Sequence, residues 1–434
     1  MDVLQKEVYE ATPPVSRIAA KASVKKLLHP PSPAPSSSLD PPSREFYEGC
    51  YVVEPWSSTS RGTYGGDLIC QGLNAAWQSV INRAAPTSNK TNNSNGSSND
   101  GASFQPHSLH AYFVRAGSTE SVMRWEVLKV SDSRNFANRC VLGYQSHNNS
   151  LVVTLQVSFT KDNCQIAKQR QFEQQVASGT MPKSWPVVFK RHPGPMFYQY
   201  RDNLHRLDIR TRYYGGHLTH GIPQEYYEPS DDFNLATTGD QERGFFVKIN
   251  DDLGARIPNK DERDGGYGSN ANGGGVGTDA GAPSATELIR RKYLALAYAS
   301  DAFWAATWIK ALGLPMGTTT AANVSLDHTL YFHDSNFELG RATKSTDDSN
   351  DNSNNSSNSD NNWLYLETQF VSMGNNRVLA IVNFYTLAND GKLIATVVQE
   401  MYGFVPKDVA DKSRQLHDKV DNKGKLKSGV DAKL

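Results

Sequence analysis

The sequence predicts an α+β protein built from two copies of one unit, each a long helix wrapped by an antiparallel sheet. One order of elements, a helical segment followed by four strand-like runs, occurs twice along the 434 residues. The residues themselves also repeat, since SLHAYFVR at 108–115 resembles SLDHTLYFH at 325–333. An internal duplication of this kind predicts two related units whose sheets pair edge to edge.

The first unit is predicted over 46–165. Its helix, at 65–81 (GGDLICQGLNAAWQSVI), opens on two glycines and repeats apolar residues at helical spacing. Four strand-like runs follow, at 107–114, 122–130, 136–145 and 151–160. The Asn/Ser-rich tract at 86–105 has no apolar periodicity, so we expect a surface insertion between the helix and the first strand.

The second unit is predicted over 285–405. Its helix is expected at 287–312 (ELIRRKYLALAYASDAFWAATWIKAL), and strands are expected at 324–333, 364–372, 377–387 and 393–404. The last three strands are separated by MGNN and by NDG, which are typical of hairpin turns. A second Asn/Ser-rich tract, at 343–362, again indicates a surface insertion.

Four further segments lie outside the two units. Residues 1–45 are rich in Pro and Ser and predict a disordered leader. Residues 166–250 connect the units and contain strand-like pieces at 206–212 and 245–249, and 251–284 form a Gly/Asn/Asp-rich loop. The polar tail at 406–434 ends in Ala432, Lys433 and Leu434, a close variant of the Ser-Lys-Leu address that the peroxisomal import receptor reads. A frayed Lys-rich end is the alternative interpretation of the tripeptide.

Composition narrows the class of protein. The 45 basic and 45 acidic residues balance, so no overall field attracts nucleic acid or an anionic membrane. No apolar run reaches the length of about 18 residues that spans a bilayer, and no apolar signal core precedes the first unit. The four cysteines have no metal-ligand or disulfide spacing, so neither a metal site nor a disulfide framework is expected. No cofactor is expected either.

Asp301 is placed by the sequence in the middle of the second helix, within the apolar segment ALAYASDAFW. Its neighbours three and four positions away are Ala297, Tyr298, Trp304 and Ala305, which provide no solvated face. We therefore expect a partly buried carboxylate with a partner. Two interpretations stay open: a structural aspartate bonded to a neighbouring strand, or a general base whose pKa is raised by burial.

A Ser, an Asp and a His lie close together in the strand at 324–333. Strict alternation places Ser325 and Asp327 on one face and His328 on the other. A Ser–His–Asp triad is not expected, because the Gly-x-Ser-x-Gly elbow is absent and Ser325 and His328 would point apart. His328 and His333 are interpreted as ordinary strand histidines bonded to the backbone.

Two adjacent polar residues, Gln399 and Glu400, interrupt the apolar run of the last strand. One of the two must face inward, and a buried amide needs partners for both its oxygen and its nitrogen. On spacing alone, a structural amide that bridges the sheet is the favoured interpretation of Gln399.

Six segments keep one order and compatible gaps along both halves. They read YGGDLICQGLNAA, HSLHAYFVRAG, NFANRCV, LAYASD, SLDHTLYFH and VVQE. Together they resemble the acyl-CoA thioesterase II family, including its peroxisomal members, over roughly 46–160 and 285–405. The resemblance implies a double hotdog fold, in agreement with the duplication, and hydrolysis of fatty acyl-CoA. Since the family has peroxisomal members, the resemblance also favours a peroxisomal location.

The resemblance implies a catalytic Asp in the YASD segment, a Ser or Thr two residues before the DH pair, and a Gln in the VQE segment. In this sequence those positions are Asp301, Ser325 and Gln399. Asp301 is expected to accept a proton from a water that Ser325 and Gln399 hold toward the thioester carbon, without an acyl-enzyme. All three residues lie in the second unit, and the first unit is expected to shape the pocket.

Two features at the start of the first helix bear on the activity that the resemblance implies. Backbone amides at a helix N-terminus suit a developing oxyanion, and the candidate donors are Gly65 and Gly66 and the start of the second helix. Asp67 is a departure, because the family usually has Gln after the paired glycines, and this puts a local contact at the helix start in doubt.

Two other classes of protein compete with the hydrolase. A hotdog enoyl-CoA hydratase would need a Gly-Asp-x-Asn-Pro-x-His stretch, which this sequence lacks. A non-catalytic acyl-CoA binding protein could use the same pocket, although unneeded buried polar groups would cost about 1–3 kcal/mol each. The expected partners are acyl-CoA as substrate and the peroxisomal import receptor; neither nucleic acid nor membrane insertion is expected, and the sequence allows a homo-oligomer.

Overall fold

The structure is a computed structural model, and it describes most of both predicted units. The described residues are 16–28, 43–53, 62–81, 104–161, 163–182, 184–189, 191–212, 217–227, 243–255, 283–302, 307–311, 322–337, 339, 362–388, 390–404, 406–408 and 411. The tracts predicted as insertions at 86–105 and 343–362 lie almost entirely outside this set.

In the part of the chain that the structure describes, the first half contributes six strands. They are β1 (Val24–Leu27), β2 (Arg44–Val52), β3 (Phe104–Phe113), β4 (Val122–Asp132), β5 (Phe136–Gln145) and β6 (Leu151–Lys161). The four runs predicted after the first helix are confirmed as β3 to β6. Their buried residues alternate with accessible ones along most of β4, β5 and β6, as expected for strands with one face on a core.

The second half contributes eight strands among the described residues. They are β7 (Leu207–Arg212), β8 (Leu218–Pro223), β9 (Arg243–Ile249), β10 (Ala322–Ser325), β11 (Asp327–Phe332), β12 (Trp363–Gly374), β13 (Arg377–Thr386) and β14 (Leu393–Phe404). The run predicted at 324–333 is divided into β10 and β11. The predicted MGNN turn is confirmed: Asn375 and Asn376, with φ of 53° and 58°, join β12 to β13.

All of these strands belong to one antiparallel sheet. Its order is β1-β2-β4-β5-β6-β3-β11-β14-β13-β12-β9-β8-β7, and β10 also pairs with β14. The two halves meet where β3 pairs with β11, with Leu109 opposite Leu330. Both of these leucines are fully buried, so the core continues across the junction.

Six helices accompany the sheet in the described residues. They are α1 (Arg17–Lys21), α2 (Gly65–Ile81), α3 (Gln165–Ala177), α4 (Pro195–Tyr200), α5 (Ala285–Ala299) and α6 (Trp308–Ala311). The predicted helix 65–81 is confirmed as α2. The helices α2 and α5 pack against each other and share one apolar core with the sheet, for example through Leu73, Leu296 and Val397.

The prediction of one helix over 287–312 is wrong, because α5 ends at Ala299. Ser300 follows it, and its hydroxyl approaches the carbonyl oxygen of Ala297 at 2.8 Å. Short polar side chains at such a position compete with the helical backbone bonds, and Ser–Asp is a pair of this type. Asp301 therefore lies in a turn just beyond the helix and not in its middle.

The disordered leader predicted over 1–45 is corrected for 43–45, where β2 begins, and for the segment 16–28. This segment forms α1 and β1, and β1 pairs with β2 at the end of the sheet. Asp251 accepts hydrogen bonds from the Ser16 hydroxyl (2.9 Å) and from the backbone N–H groups of Arg17 (2.8 Å) and Ile18 (3.1 Å). A carboxylate at a helix start binds these otherwise unpaired amides and stabilises the segment.

The segment 166–250, predicted as a connection, also extends the sheet. The strand-like pieces expected at 206–212 and 245–249 are confirmed as β7 and β9, and β9 pairs with β12. Phe245, Phe246 and Val247 are all fully buried, as expected for a strand covered on both faces. Among the described residues, no helix is long and apolar enough to cross a membrane.

Candidate active site

Asp301, Ser325 and Gln399 meet where the end of α5 approaches β10 and β14. The Gln399 Nε2 atom donates to Asp301 Oδ1 at 3.1 Å and to Ser325 Oγ at 2.7 Å. Gln399 is buried in the middle of its strand, whereas Asp301 and Ser325 are half-buried and reach the surface. The three side chains thus form one hydrogen-bonded group, two of whose members belong to residues that are only partly buried.

The junction of β10 and β11 explains how Ser325 reaches this group. Ser325 pairs with Met401 and Thr329 pairs with Val398, so four residue steps on one strand face three on β14. The extra residue is a β-bulge, and it reverses the alternation of faces beyond it. Ser325 and His328 therefore lie on the same side of the sheet, and the expectation that they point apart is wrong.

His328 is a part of this site that the sequence did not identify. Its Nδ1 atom lies 2.7 Å from Gln399 Oε1, and its Nε2 atom lies 2.9 Å from Ser300 Oγ. The side chain is fully buried, and burial lowers its pKa to about 4, so the imidazole is neutral at physiological pH. The interpretation of His328 as a strand histidine bonded to the backbone is thus wrong; that of His333 is corrected too, since its Nε2 atom lies 2.8 Å from Thr396 Oγ1.

The surroundings of the Asp301 carboxyl group make it a stronger base than an exposed aspartate. Burial raises its pKa to about 6 from the ordinary 3.8. Hydrogen bonds from Gln399, from Ser325 and from the backbone N–H groups of Gly65 and Gly66 act in the opposite direction and limit the rise. A carboxyl group with this pKa is mostly ionised at pH 7, yet it accepts a proton more readily than an exposed aspartate.

The N-terminus of α2 is the contribution of the first half to this site. The amides of Gly65 and Gly66 bind the Asp301 carboxyl, and they carry the partial positive charge of a helix start. The Tyr64 hydroxyl donates to the Tyr298 carbonyl oxygen at 2.7 Å and ties the same helix start to the end of α5. The first half therefore touches the carboxyl group directly. The two amides expected to meet an oxyanion are bound to Asp301.

A buried ion pair supports the same helix start. Asp67, in the first turn of α2, lies 3.3 Å from the Lys21 ammonium group, and both residues are more than nine-tenths buried. Lys21 comes from α1, within the segment that was predicted as a disordered leader. A buried charge without a partner would cost roughly several kcal/mol of folding free energy. Asp67, which stands where Gln was expected, has a charge partner in Lys21 of the same chain.

The proposed targeting tripeptide, Ala432 to Leu434, lies outside the described residues.

Comparisons with known proteins agree over both halves. Residues 52–160 match the acyl-CoA thioesterase N-terminal domain family, and residues 278–402 match the acyl-CoA thioesterase C-terminal domain family. The chain is 24% identical over 363 residues to peroxisomal acyl-coenzyme A thioester hydrolase 1 of Saccharomyces cerevisiae, covering 79% of this chain and 86% of the relative.

Solved structures with a similar arrangement include acyl-CoA thioesterase II TesB2 from Mycobacterium marinum, at 15% identity and a TM-score of 0.46, covering 90% of this chain and 98% of that one. Another is a protein of unknown function with a hot dog fold from Alicyclobacillus acidocaldarius, at 12% identity and a TM-score of 0.43, with the same two coverages.

The two domain matches span 109 and 125 residues, which together exceed half of the 434 residues. They place the protein in the class of thioester hydrolases. The chain belongs to the acyl-CoA thioesterase family, as the resemblance of its six segments predicted.

Proposed function

We propose that the protein hydrolyses fatty acyl-CoA to a free fatty acid and CoA, with a water molecule activated by Asp301, Ser325 and Gln399. The observation that carries this proposal is the convergence of the three side chains on Gln399 Nε2, with Asp301 held at a pKa of about 6. A carboxylate, a hydroxyl and an amide can together bind and orient a water without any covalent intermediate.

In the proposed reaction the water binds between the Asp301 carboxylate and the Ser325 and Gln399 side chains. Asp301 takes a proton from the water while the water oxygen forms a bond to the thioester carbon. The C–S bond then breaks, and the CoA thiolate receives the proton from Asp301. The products are the fatty acid and CoA–SH, and the carboxylate is regenerated for the next cycle.

The architecture behind this site is proposed to be a double hotdog, in which each half of the sheet wraps one of the helices α2 and α5. Among the described residues, two strands (β1 and β2) precede α2 and three strands (β7, β8 and β9) precede α5, and further strands follow each helix in the chain. The edge-to-edge pairing of β3 with β11 supports this arrangement. The part of the sheet that belongs to each predicted unit, 46–165 or 285–405, would then also include strands that precede the helix of that unit in the chain.

A thiol-release assay on acyl-CoAs of graded chain length tests the proposed function. The wild type should release CoA–SH, and Gln399→Ala should lower kcat by about 10²-fold, because the water would lose a fixed hydrogen-bond partner. Ser325→Ala should also be impaired, whereas Ser325→Thr, which keeps the hydroxyl, is the matched control and should retain most of the activity.

Two outcomes of this assay would exclude the proposal. Wild-type protein that binds acyl-CoA without releasing thiol would be an acyl-CoA binding protein. Full turnover in both Gln399→Ala and Ser325→Ala would show that thioester hydrolysis takes place without the proposed group.

The peroxisome is the proposed location, with the import receptor binding Ala432, Lys433 and Leu434. The similarity to a relative named as peroxisomal supports this, together with the form of the tripeptide. Removing the three residues from a fluorescently tagged chain should leave the protein outside peroxisomes. An unchanged peroxisomal signal after their removal would contradict the proposed address, and an added C-terminal Ser-Lys-Leu serves as the positive control.

A further inference from the structure

We propose that His328 is a positioning residue that fixes the orientation of the Gln399 amide in the active site. This inference rests on the proposed function, since it assigns His328 a role through Gln399. It starts from one geometric fact: the two ends of the Gln399 amide face opposite kinds of partner, with Nε2 toward Asp301 and Ser325 and Oε1 toward His328.

The charge on Asp301 selects this orientation of the amide. With the carboxylate ionised, an amide oxygen turned toward it would be repelled, while the NH₂ group donates one hydrogen to Asp301 and one to Ser325. The amide oxygen must then find a donor on its other side. The atom within reach is His328 Nδ1, at 2.7 Å.

The proton on His328 follows from the same partners. Since Gln399 Oε1 can accept but not donate, Nδ1 must carry the hydrogen. A neutral imidazole then has its lone pair on Nε2, which lies 2.9 Å from the Ser300 hydroxyl; that hydroxyl is also 2.8 Å from the Ala297 carbonyl oxygen, so its one hydrogen has two acceptors. From His328 the bonds run in one direction, through Gln399 to Asp301 and Ser325, and each N–H group on this path has an acceptor.

The backbone explains why a histidine can reach this position. The bulge between β10 and β11 turns His328 toward the interior side on which Ser325 lies, and the side chain is fully buried there. Ser300 follows the last residue of α5 and precedes Asp301 in the chain. His328 thus connects the end of that helix to β14, and it reaches the Asp301 carboxyl through the amide.

Two substitutions separate the two nitrogen atoms of His328. In His328→Asn the amide nitrogen can occupy the position of Nδ1, three bonds from Cα, and donate to Gln399. In His328→Gln the amide oxygen is four bonds from Cα, like Nε2, and can accept from Ser300, while the amide has no nitrogen at the position of Nδ1 to donate to Gln399. Each variant keeps one of the two hydrogen bonds, so a purely structural role predicts similar losses in both.

The expected results are therefore unequal. In the full-length protein, His328→Asn should keep kcat within about tenfold of the wild type, and His328→Gln should lose about 10²-fold in kcat, with little change in KM for either. Ser300→Ala keeps the imidazole and its bond to Gln399, so it should lose less than His328→Gln. It is also the variant to rely on if a substitution of His328 prevents folding.

A double-mutant cycle with Gln399→Ala makes the test specific, because a residue that acts through Gln399 has nothing to position once the amide is gone. His328→Gln should then cost no further kcat in the Gln399→Ala background. Additive losses, or equal kcat in His328→Asn and His328→Gln, would overturn the positioning role while leaving the proposed function intact. Wild-type kcat in Gln399→Ala alone would instead overturn the proposed mechanism.

Discussion

Asp301→Asn is expected to lower kcat for acyl-CoA hydrolysis by about 10²–10⁴-fold, the usual contribution of a general base. The amide cannot accept the proton of the attacking water. It also places a donor where the carboxyl now accepts from the amides of Gly65 and Gly66. KM should change little, because the carboxyl is proposed to act on the water and not on the CoA moiety. Thiol release under saturating acyl-CoA measures the effect.

The pH profile of the wild type is a second test of the proposed role of the Asp301 carboxyl group. Burial raises the pKa of Asp301 to about 6, so its base form is lost as pH falls through that value. The ratio kcat/KM should therefore fall about tenfold per pH unit below pH 6 and reach a plateau above pH 7. In Asp301→Asn the residual rate should not show this acidic limb.

Asp390→Asn is the matched control for this substitution. Asp390 is exposed in the turn before β14 and has a φ of 56°, a conformation that Asn tolerates as well as Asp does. Its variant should keep wild-type kcat and the wild-type pH profile. An Asp301→Asn protein that turns over at the wild-type rate would remove Asp301 from the proposed mechanism.

Periodicity predicted most of the sheet because local sequence determines which residues of a strand face the core. The run at 136–145 was predicted to its ends, and α2 was predicted over all of its length. The early end of α5 could not be found in this way. The local bond of the Ser300 hydroxyl to the Ala297 carbonyl oxygen acts there together with contacts of Ser300 and Asp301 to residues far away in the chain, including His328 and Gly65.

The role of His328 escaped the sequence for a related reason. Strict alternation is a good rule within a strand, but one extra residue reverses it, and the bulge between β10 and β11 is visible only in the pairing with β14. The leader illustrates a different limit. Its Pro/Ser-rich composition predicts disorder, but the segment around Lys21 is ordered. Lys21 pairs with Asp67 in α2, and Asp251 binds the start of α1.

Gly66→Ala is expected to cause the largest loss among substitutions outside the three proposed catalytic residues. A Cβ at Gly66 would lie 2.3 Å from the carbonyl oxygen of Tyr298 and 2.5 Å from Cε1 of Tyr64. The first of these atoms is backbone, so the start of α2 and the end of α5 must move apart. Overpacking of this kind costs about 1–3 kcal/mol of the free energy of unfolding, and more when backbone is displaced.

The same displacement should impair catalysis more than stability. The amides of Gly65 and Gly66 hold the Asp301 carboxyl, and a shift of about 1 Å in such a group can cost about 10²-fold in rate. We therefore expect Gly66→Ala to lose at least that factor in kcat, even at a temperature where circular dichroism shows a folded protein. Thermal unfolding and thiol release on the same preparation separate the two effects.

Gly62→Ala is the matched control, because a Cβ there would approach the nearest atom, the Ala116 Cβ, at an ordinary 3.8 Å. It should unfold and turn over like the wild type. A Gly66→Ala protein with wild-type Tm and wild-type kcat would mean that the start of α2 can shift without displacing the Asp301 carboxyl group. The first half of the chain would then be a neighbour of the site and not a part that positions its carboxyl group.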